Sequence, residues 1–182
     1  ISYLGLGVSA GVTFHPTNRL SLAGTFRNDG HLKVERDTMR STARTDLPIS
    51  WSVGARWMVA EKLSWSAAYT ARNWSSADSD IRAQGGLGSF DAYHVSTGFE
   101  LLRDVRNPGH RPWRIGGFYG TLPFPLVSGR KAKEYGVSAG TGFRFTGGRG
   151  GLDVTLQQLW RGDGQGYTER ATLVTLGFSI RP

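Results

Sequence analysis

The chain of 182 residues contains no cysteine. Disulfide bonds and thiolate metal sites are therefore excluded, although this absence names no compartment. No apolar run approaches the roughly 18 residues that a membrane-crossing helix requires, so a helical membrane protein is excluded. That test does not touch β-barrels, whose apolar residues are dispersed at every second position. Hydrophobic residues make up only 38% of the chain, a lean supply for a packed interior. With aromatics at 12%, the chain is nevertheless too rich in Trp, Tyr and Phe to be disordered. Lys and Arg number 22 against 14 Asp and Glu, a formal net charge of +8. The positive charge is scattered, and no basic run is interleaved with stacking aromatics, so nucleic acid is not an expected partner. No His, Asp or Glu cluster has metal-ligand spacing, and neither a metal nor another cofactor is expected. The opening ISYLGLGVSAG lacks both a Met and a basic leader. A signal peptide already removed, or a start inside a longer protein, is the expectation.

What the sequence has in abundance is alternation. Leu4, Leu6, Val8, Ala10, Val12 and Phe14 fall on one side of a strand read from Tyr3 to Phe14, with Gly5, Gly7, Ser9, Gly11 and Thr13 opposite. The segment LPISWSVGARWMV sets Ile49, Trp51, Val53, Ala55, Trp57 and Val59 against Ser50, Ser52, Gly54, Arg56 and Met58. KLSWSAAYTAR, EYGVSAGTGFRF, LDVTLQQLW and the terminal ERATLVTLGFSIRP repeat the pattern, and weaker versions cover 19–27, 93–101 and 113–119. About nine strands result, most of them near the 9–11 residues of a tilted membrane-spanning strand.

The connections alternate between short and long. HPTN, VAEK and TGGRG are tight, whereas NDGHLKVERDTMRSTARTD, SSADSDIRAQGGLGS, TLPFPLVSGRK and GDGQGYTE are longer; only RDVRNPGHR blurs the rule. This is the sidedness of a bacterial outer-membrane barrel, with turns in the periplasm and loops outside. Under that orientation the C-terminus is periplasmic, and the aromatics form two belts. Trp57, Trp65, Trp113, Phe145 and Phe178 lie near the turn ends, and Trp51, Tyr93, Tyr119, Tyr135 and Trp160 near the loop ends. A soluble sandwich or small barrel fits the alternation equally well, because alternation has no sign, but it leaves the belts and the loop rhythm unexplained. About nine strands also leave an odd number to be supplied, since bacterial single-chain barrels have an even count. Residues 1–182 are accordingly expected to form the C-terminal part of one larger barrel domain.

Two stretches resemble a known family. TDLPISWSVGARWMVAEKLSWSAAYTARNWSSADSDI, in which a Leu-Pro opens a strand, a short turn follows and the next strand ends in a Trp-Ser, is similar to a segment of FadL/TodX-type outer-membrane transporters. GGFYGTLPFPLVSGRKAKEYGVSAGTGFRF and GGLDVTLQQLWRGDGQGYTERATLVTLGFS resemble that family's last strands. There a Pro-containing loop precedes a strand opened by Glu, then a Leu-Asp strand, a Gly-rich loop and a terminal Gly-Phe strand. The resemblance covers roughly residues 46–179. It implies an all-β, antiparallel transmembrane barrel of 14 strands with an N-terminal plug, moving long-chain fatty acids or other hydrophobic compounds across the outer membrane. The plug and about five strands lie outside this sequence, so no ligand residue carries over.

Candidate residues follow from the alternation. The polar face carries Arg56, Arg72, His94, Glu100, Arg114, Glu134, Arg144 and Asp153. Charges of both signs on neighbouring strands can form a structural ladder, or can line a lumen that holds a carboxylate head group or a plug. In TLPFPLVSG, Pro123 and Pro125 stiffen a loop that presents Leu122, Phe124 and Leu126, a candidate ligand contact or a segment folded back to close a barrel. His94 and Ser96 share a face, as an esterase pair would, but no orienting acid or oxyanion group accompanies them and no catalytic residue is assigned. Lys33, Arg36, Arg40 and Arg44 could meet the phosphates of lipopolysaccharide. Expected partners are outer-membrane lipid, lipopolysaccharide and a hydrophobic small molecule. Two functions stand open: a channel for hydrophobic solutes, or a scaffold barrel that binds other envelope proteins.

Overall fold

The structure is a computed structural model. It describes residues 2–4, 6–35, 42–103, 106, 111–126, 129–145, 149–164 and 166–180. Strand accounts for 67% of the chain and helix for 7%, which makes the protein all-β.

Nine strands form one antiparallel sheet. In chain order they are β2 (Val8–Thr17), β3 (Leu20–Asn28), β6 (Ser50–Ala60), β7 (Leu63–Arg72), β8 (Ala92–Leu101), β9 (Trp113–Thr121), β10 (Lys133–Phe145), β11 (Gly150–Gly162) and β12 (Thr168–Ile180). Each pairs with its neighbour along the chain, except that β3 pairs with β6. The sheet is open, with β2 and β12 at its two edges.

The register converts the alternation of each strand into continuous rows. Leu20, Trp57, Trp65, Phe99, Ile115, Ala139, Leu156 and Val174 stand opposite one another across eight strands. Because side chains at i and i+2 share a face, all these rows accumulate on one side of the sheet. Among the described residues, nothing covers that side. Ile115 is 59% exposed, Leu156 53% and Val174 65%, so the apolar face is not a protein core.

The aromatic belts expected near the strand ends are rows on this same face. At the loop end Trp51, Tyr69, Tyr93 and Tyr119 follow one another with ring centroids 5.2, 6.4 and 6.1 Å apart, and Tyr135 stacks on Trp160 at 5.4 Å. Tyr69 joins the belt although its sequence position alone did not single it out. At the turn end Trp57 pairs directly with Trp65, and Phe145 stacks on Phe178 at 6.1 Å.

Three local expectations change. The run from Tyr3 to Phe14 is two elements, β1 (Ser2–Leu4) and β2, because Leu6 and Gly7 leave the extended ladder. A Cβ on Gly7 would lie 2.5 Å from the Asp29 carboxylate oxygen, so a larger residue there would displace that side chain. The long connection after β3 is itself a hairpin of β4 (His31–Glu35) and β5 (Thr42–Asp46), and β1 pairs with β4 to give a separate three-stranded sheet. The connection after β7 folds into a 3₁₀ turn (Trp74–Ala77) followed by α1 (Asp78–Ala83). Residues 146–148 of the TGGRG turn and most of RDVRNPGHR lie outside the described residues.

A buried cluster lies at the loop end of the sheet. Ala77, Ser89, Ala92, Thr121 and Ala132 are buried where the connections after β7 and β9 meet. Hydrogen bonds knit them together: Leu122 N–H to the Ala132 carbonyl, Phe90 N–H to the Pro123 carbonyl, and Ser89 Oγ to the Trp74 carbonyl. Phe124 packs edge-on against Trp74, with centroids 4.9 Å apart. Gly88 adopts φ +92°, and a side chain there would collide with Asp78 and Arg82.

Candidate functional site

On the polar face, five of the residues expected there form a single chain of ion pairs across the sheet. Arg56 Nη2 donates to Glu100 Oε1 at 3.2 Å, and Arg114 Nε donates to Glu100 Oε2 at 2.7 Å. Arg114 Nη1 donates to Asp153 Oδ1 at 2.9 Å, and Arg144 Nη1 donates to Asp153 Oδ2 at 3.2 Å. Three guanidiniums thus share two carboxylates.

Local sequence makes the long reaches possible. Ser64 and Ser66 of β7 lie between Arg56 and Glu100, and both are short enough for the guanidinium to pass over them. Gly140 and Gly142 of β10 occupy the same position between Arg114 and Asp153. A Cβ on Gly142 would fall 2.5 Å from Asp153 Oδ1, so a larger residue there would push the carboxylate away.

A second cluster lies nearer the loop end. Glu134 accepts from Arg161, which also lies 4.0 Å from Glu169. Arg161 was not among the residues singled out from the sequence. The parity that carries Asp153, Thr155 and Gln157 reaches it once β11 is extended past Trp160, and that extension is the signal that would have found it.

The remaining polar-face candidates surround a cavity of about 320 Å³ under the loop after β9. Arg72, His94, Leu122, Pro123 and Glu134 contribute to its lining. Arg72 has no ion-pair partner among the described residues. His94 stacks on Phe118 with centroids 5.2 Å apart. Phe118 is an aromatic ring on the polar face, and it lies so close over Gly136 that a Cβ there would come within 2.5 Å of the ring. The greasy loop residues separate: Leu122 lines the cavity, Phe124 is 45% exposed against Trp74, and Leu126 is half-buried away from that lining. His94 and Ser96 both border a shallower groove of about 350 Å³ next to it, shared with Phe118 and Ser138.

The loop framework above the cavity is held by Asp78. Its carboxylate accepts the Ser89 N–H at 2.7 Å and the Arg82 Nε–H at 2.9 Å. The backbone N–H of Ser89, and then Arg82, hold the Asp78 carboxyl below its ordinary value of 3.8.

Of the four cations proposed to meet phosphates, Arg36 and Arg40 lie outside the described residues. Lys33 and Arg44 are directly opposite each other in the β4–β5 hairpin. Beside them His31 Nδ1 contacts the Asp46 carboxylate. No family model matches this chain, and no curated protein matches it either.

Proposed function

We propose that the nine-stranded sheet is the wall of a transmembrane β-barrel in a bacterial outer membrane, with the end of β12 at the periplasmic rim. On this reading the barrel passes hydrophobic compounds, long-chain fatty acids among them, from the outside inward. The uncovered apolar rows, bounded at both ends by aromatic rows, support lipid as their environment. Cations over rings at both ends agree with this. Arg111 Cζ lies 5.9 Å from the Phe143 ring at the turn end, and Lys131 Nζ lies 6.0 Å from Tyr93 at the loop end. Nine alternating strands leave β2 and β12 running in the same direction. A fully antiparallel closure therefore takes an odd number of further strands, and five bring the total to the 14 that the FadL-type resemblance implies.

The transport reading rests on one observation. The cavity under the loop after β9 joins an apolar lip, Leu122 and Pro123, to Arg72, a guanidinium with no ion-pair partner among the described residues. A fatty acid needs both a surface for its chain and a cation for its carboxylate, and no covalent chemistry is required of the protein. The test is uptake of a labelled long-chain fatty acid by cells carrying the full-length protein. Leu122→Ser/Phe124→Ser/Leu126→Ser together, and Arg72→Gln separately, are each expected to lower uptake severalfold at normal surface expression. Undiminished uptake removes the cavity from the mechanism.

The alternative is a non-transport barrel that serves as a scaffold for other envelope proteins. The ion-pair chain from Arg56 to Arg144 favours it, because paired charges across the sheet can fill a lumen as readily as line one. Absence of uptake even by the unmutated protein would decide for the scaffold.

A further inference from the structure

The loop-end rim of the apolar face carries positive charge that the ion-pair chains leave unused. Lys131 Nζ lies over the Tyr93 ring at 6.0 Å, and Arg170 Cζ lies over the Trp160 ring at 6.0 Å. Lys133 opens β10 two residues before Tyr135, hence on the same face, and is exposed. Between Lys133 and β12 stands Gly162, which has no side chain, and Thr168 faces Gly162 from β12. The result is a notch with Lys133 on one side, Arg170 on the other, and the stacked Tyr135 and Trp160 rings below. Two strand spacings and one residue pair separate the two cations, about 10–12 Å at Cα.

The acids of these strands do not neutralise the notch. Glu134, Asp153 and Glu169 all lie on the opposite face, where Arg114, Arg144 and Arg161 engage them. Neither Lys131, Lys133 nor Arg170 has an ion-pair partner among the described residues.

We propose that this rim is a binding site for a phosphorylated glycolipid of the outer leaflet, distinct from the cavity on the polar face. Its phosphates meet Lys131, Lys133 and Arg170, its sugars lie on the Trp160 and Tyr135 rings, and its acyl chains follow Val137, Leu156 and Ile115 down the apolar face. Each part of the ligand answers a feature already in place. Lys and Arg bind phosphate oxygens by charge-assisted hydrogen bonds. Trp and Tyr settle at the depth where an apolar chain gives way to a polar head group. A zwitterionic lipid would satisfy the rings and the rows below but would leave three cations without a matching excess of negative charge. The site rests on the lipid-facing reading given above, and not on transport.

Full-length protein, purified in detergent, is to be titrated with bisphosphorylated lipid A and with the same lipid A after enzymatic removal of its phosphates, and retained lipid counted by native mass spectrometry. Retention of the phosphorylated form is expected to exceed that of the dephosphorylated form by at least about tenfold, and to fall by a similar factor in Lys131→Gln/Lys133→Gln/Arg170→Gln. The charge-keeping variant Lys131→Arg/Lys133→Arg/Arg170→Lys is expected to retain it, which separates lost charge from lost folding. Equal retention of the two lipids, or equal retention by wild type and the Gln variant, overturns the site. A parallel measurement locates the cause. Quenching of tryptophan fluorescence by brominated-chain phosphatidylcholine vesicles reports insertion, so insertion without phosphate discrimination removes only this site. No quenching removes the lipid-facing reading and the site with it.

Discussion

Leu156→Arg is the most direct way to ask what covers the apolar face. Leu156 sits at the centre of β11, six residues from either end, and stands between Ala139 and Val174 in the longest apolar row. Six residues at about 3.3 Å each, on a strand tilted by about 40°, place it roughly 15 Å from both rims, the middle of a hydrocarbon layer about 25–30 Å thick. An arginine at that depth of a barrel wall costs about 2–4 kcal/mol, which lowers the folded-to-unfolded ratio roughly 30- to 900-fold. In water the same change would be a substitution at a site already 53% exposed, with an effect within about 0.5 kcal/mol. Ser138→Arg is the control. Ser138 lies on the polar face between Gly116 and Gln157, with room above it, and the change is expected to cost less than about 1 kcal/mol. Folding of the full-length protein into lipid vesicles, titrated with urea or guanidinium and followed by tryptophan fluorescence, gives both numbers. Equal costs on the two faces, or a Leu156→Arg cost near zero, would refute the assignment of lipid to the apolar side.

Other expectations are smaller in scale. Arg114→Gln removes the one residue that links Glu100 to Asp153, and is expected to destabilise by about 1 kcal/mol, more than Arg56→Gln, whose side chain is 63% exposed. A double-mutant cycle of Arg114→Gln with Asp153→Asn checks the coupling, and strict additivity would count against a connected network. The depressed Asp78 carboxyl sets a pH dependence for the loop after β7. Its contribution is present above the ordinary carboxylate value of 3.8 and is lost as the pH falls through the lower folded-state value, so the loop is expected to open to limited proteolysis only in that acid range. Asp78→Asn is expected to show that susceptibility already at neutral pH, and an unchanged cleavage rate would show that the Ser89 contact does not hold the loop.

The sequence by itself determined the strands of the nine-stranded sheet and the partition of each into two faces, because a period of two needs only local geometry. Tight turns at VAEK and HPTN followed from the same local signals, and neighbouring strands joined by short turns pair almost automatically. Even the membership of the ion-pair chain was legible: Arg56, Glu100, Arg114, Arg144 and Asp153 all have polar-face parity. Their partners were not, because the pairing of Arg56 with Glu100 crosses an entire strand and depends on register and on the short side chains of Ser64 and Ser66. Arg161 and Phe118 entered for the same reason, one by the full length of β11 and the other by its fit over Gly136. The β4–β5 hairpin and the helical turn at Trp74–Ala83 carry weak local periodicity, and contacts beyond their own segments accompany their formation: β1 on β4, Asp80 on the Asp46 N–H, Trp74 on Phe124. Alternation tells an apolar face from a polar one but carries no sign for inside and outside. Only the tertiary structure decided that the apolar rows of β3 to β12 are left uncovered by the described residues, because exposure is a property of how elements pack and not of any strand alone.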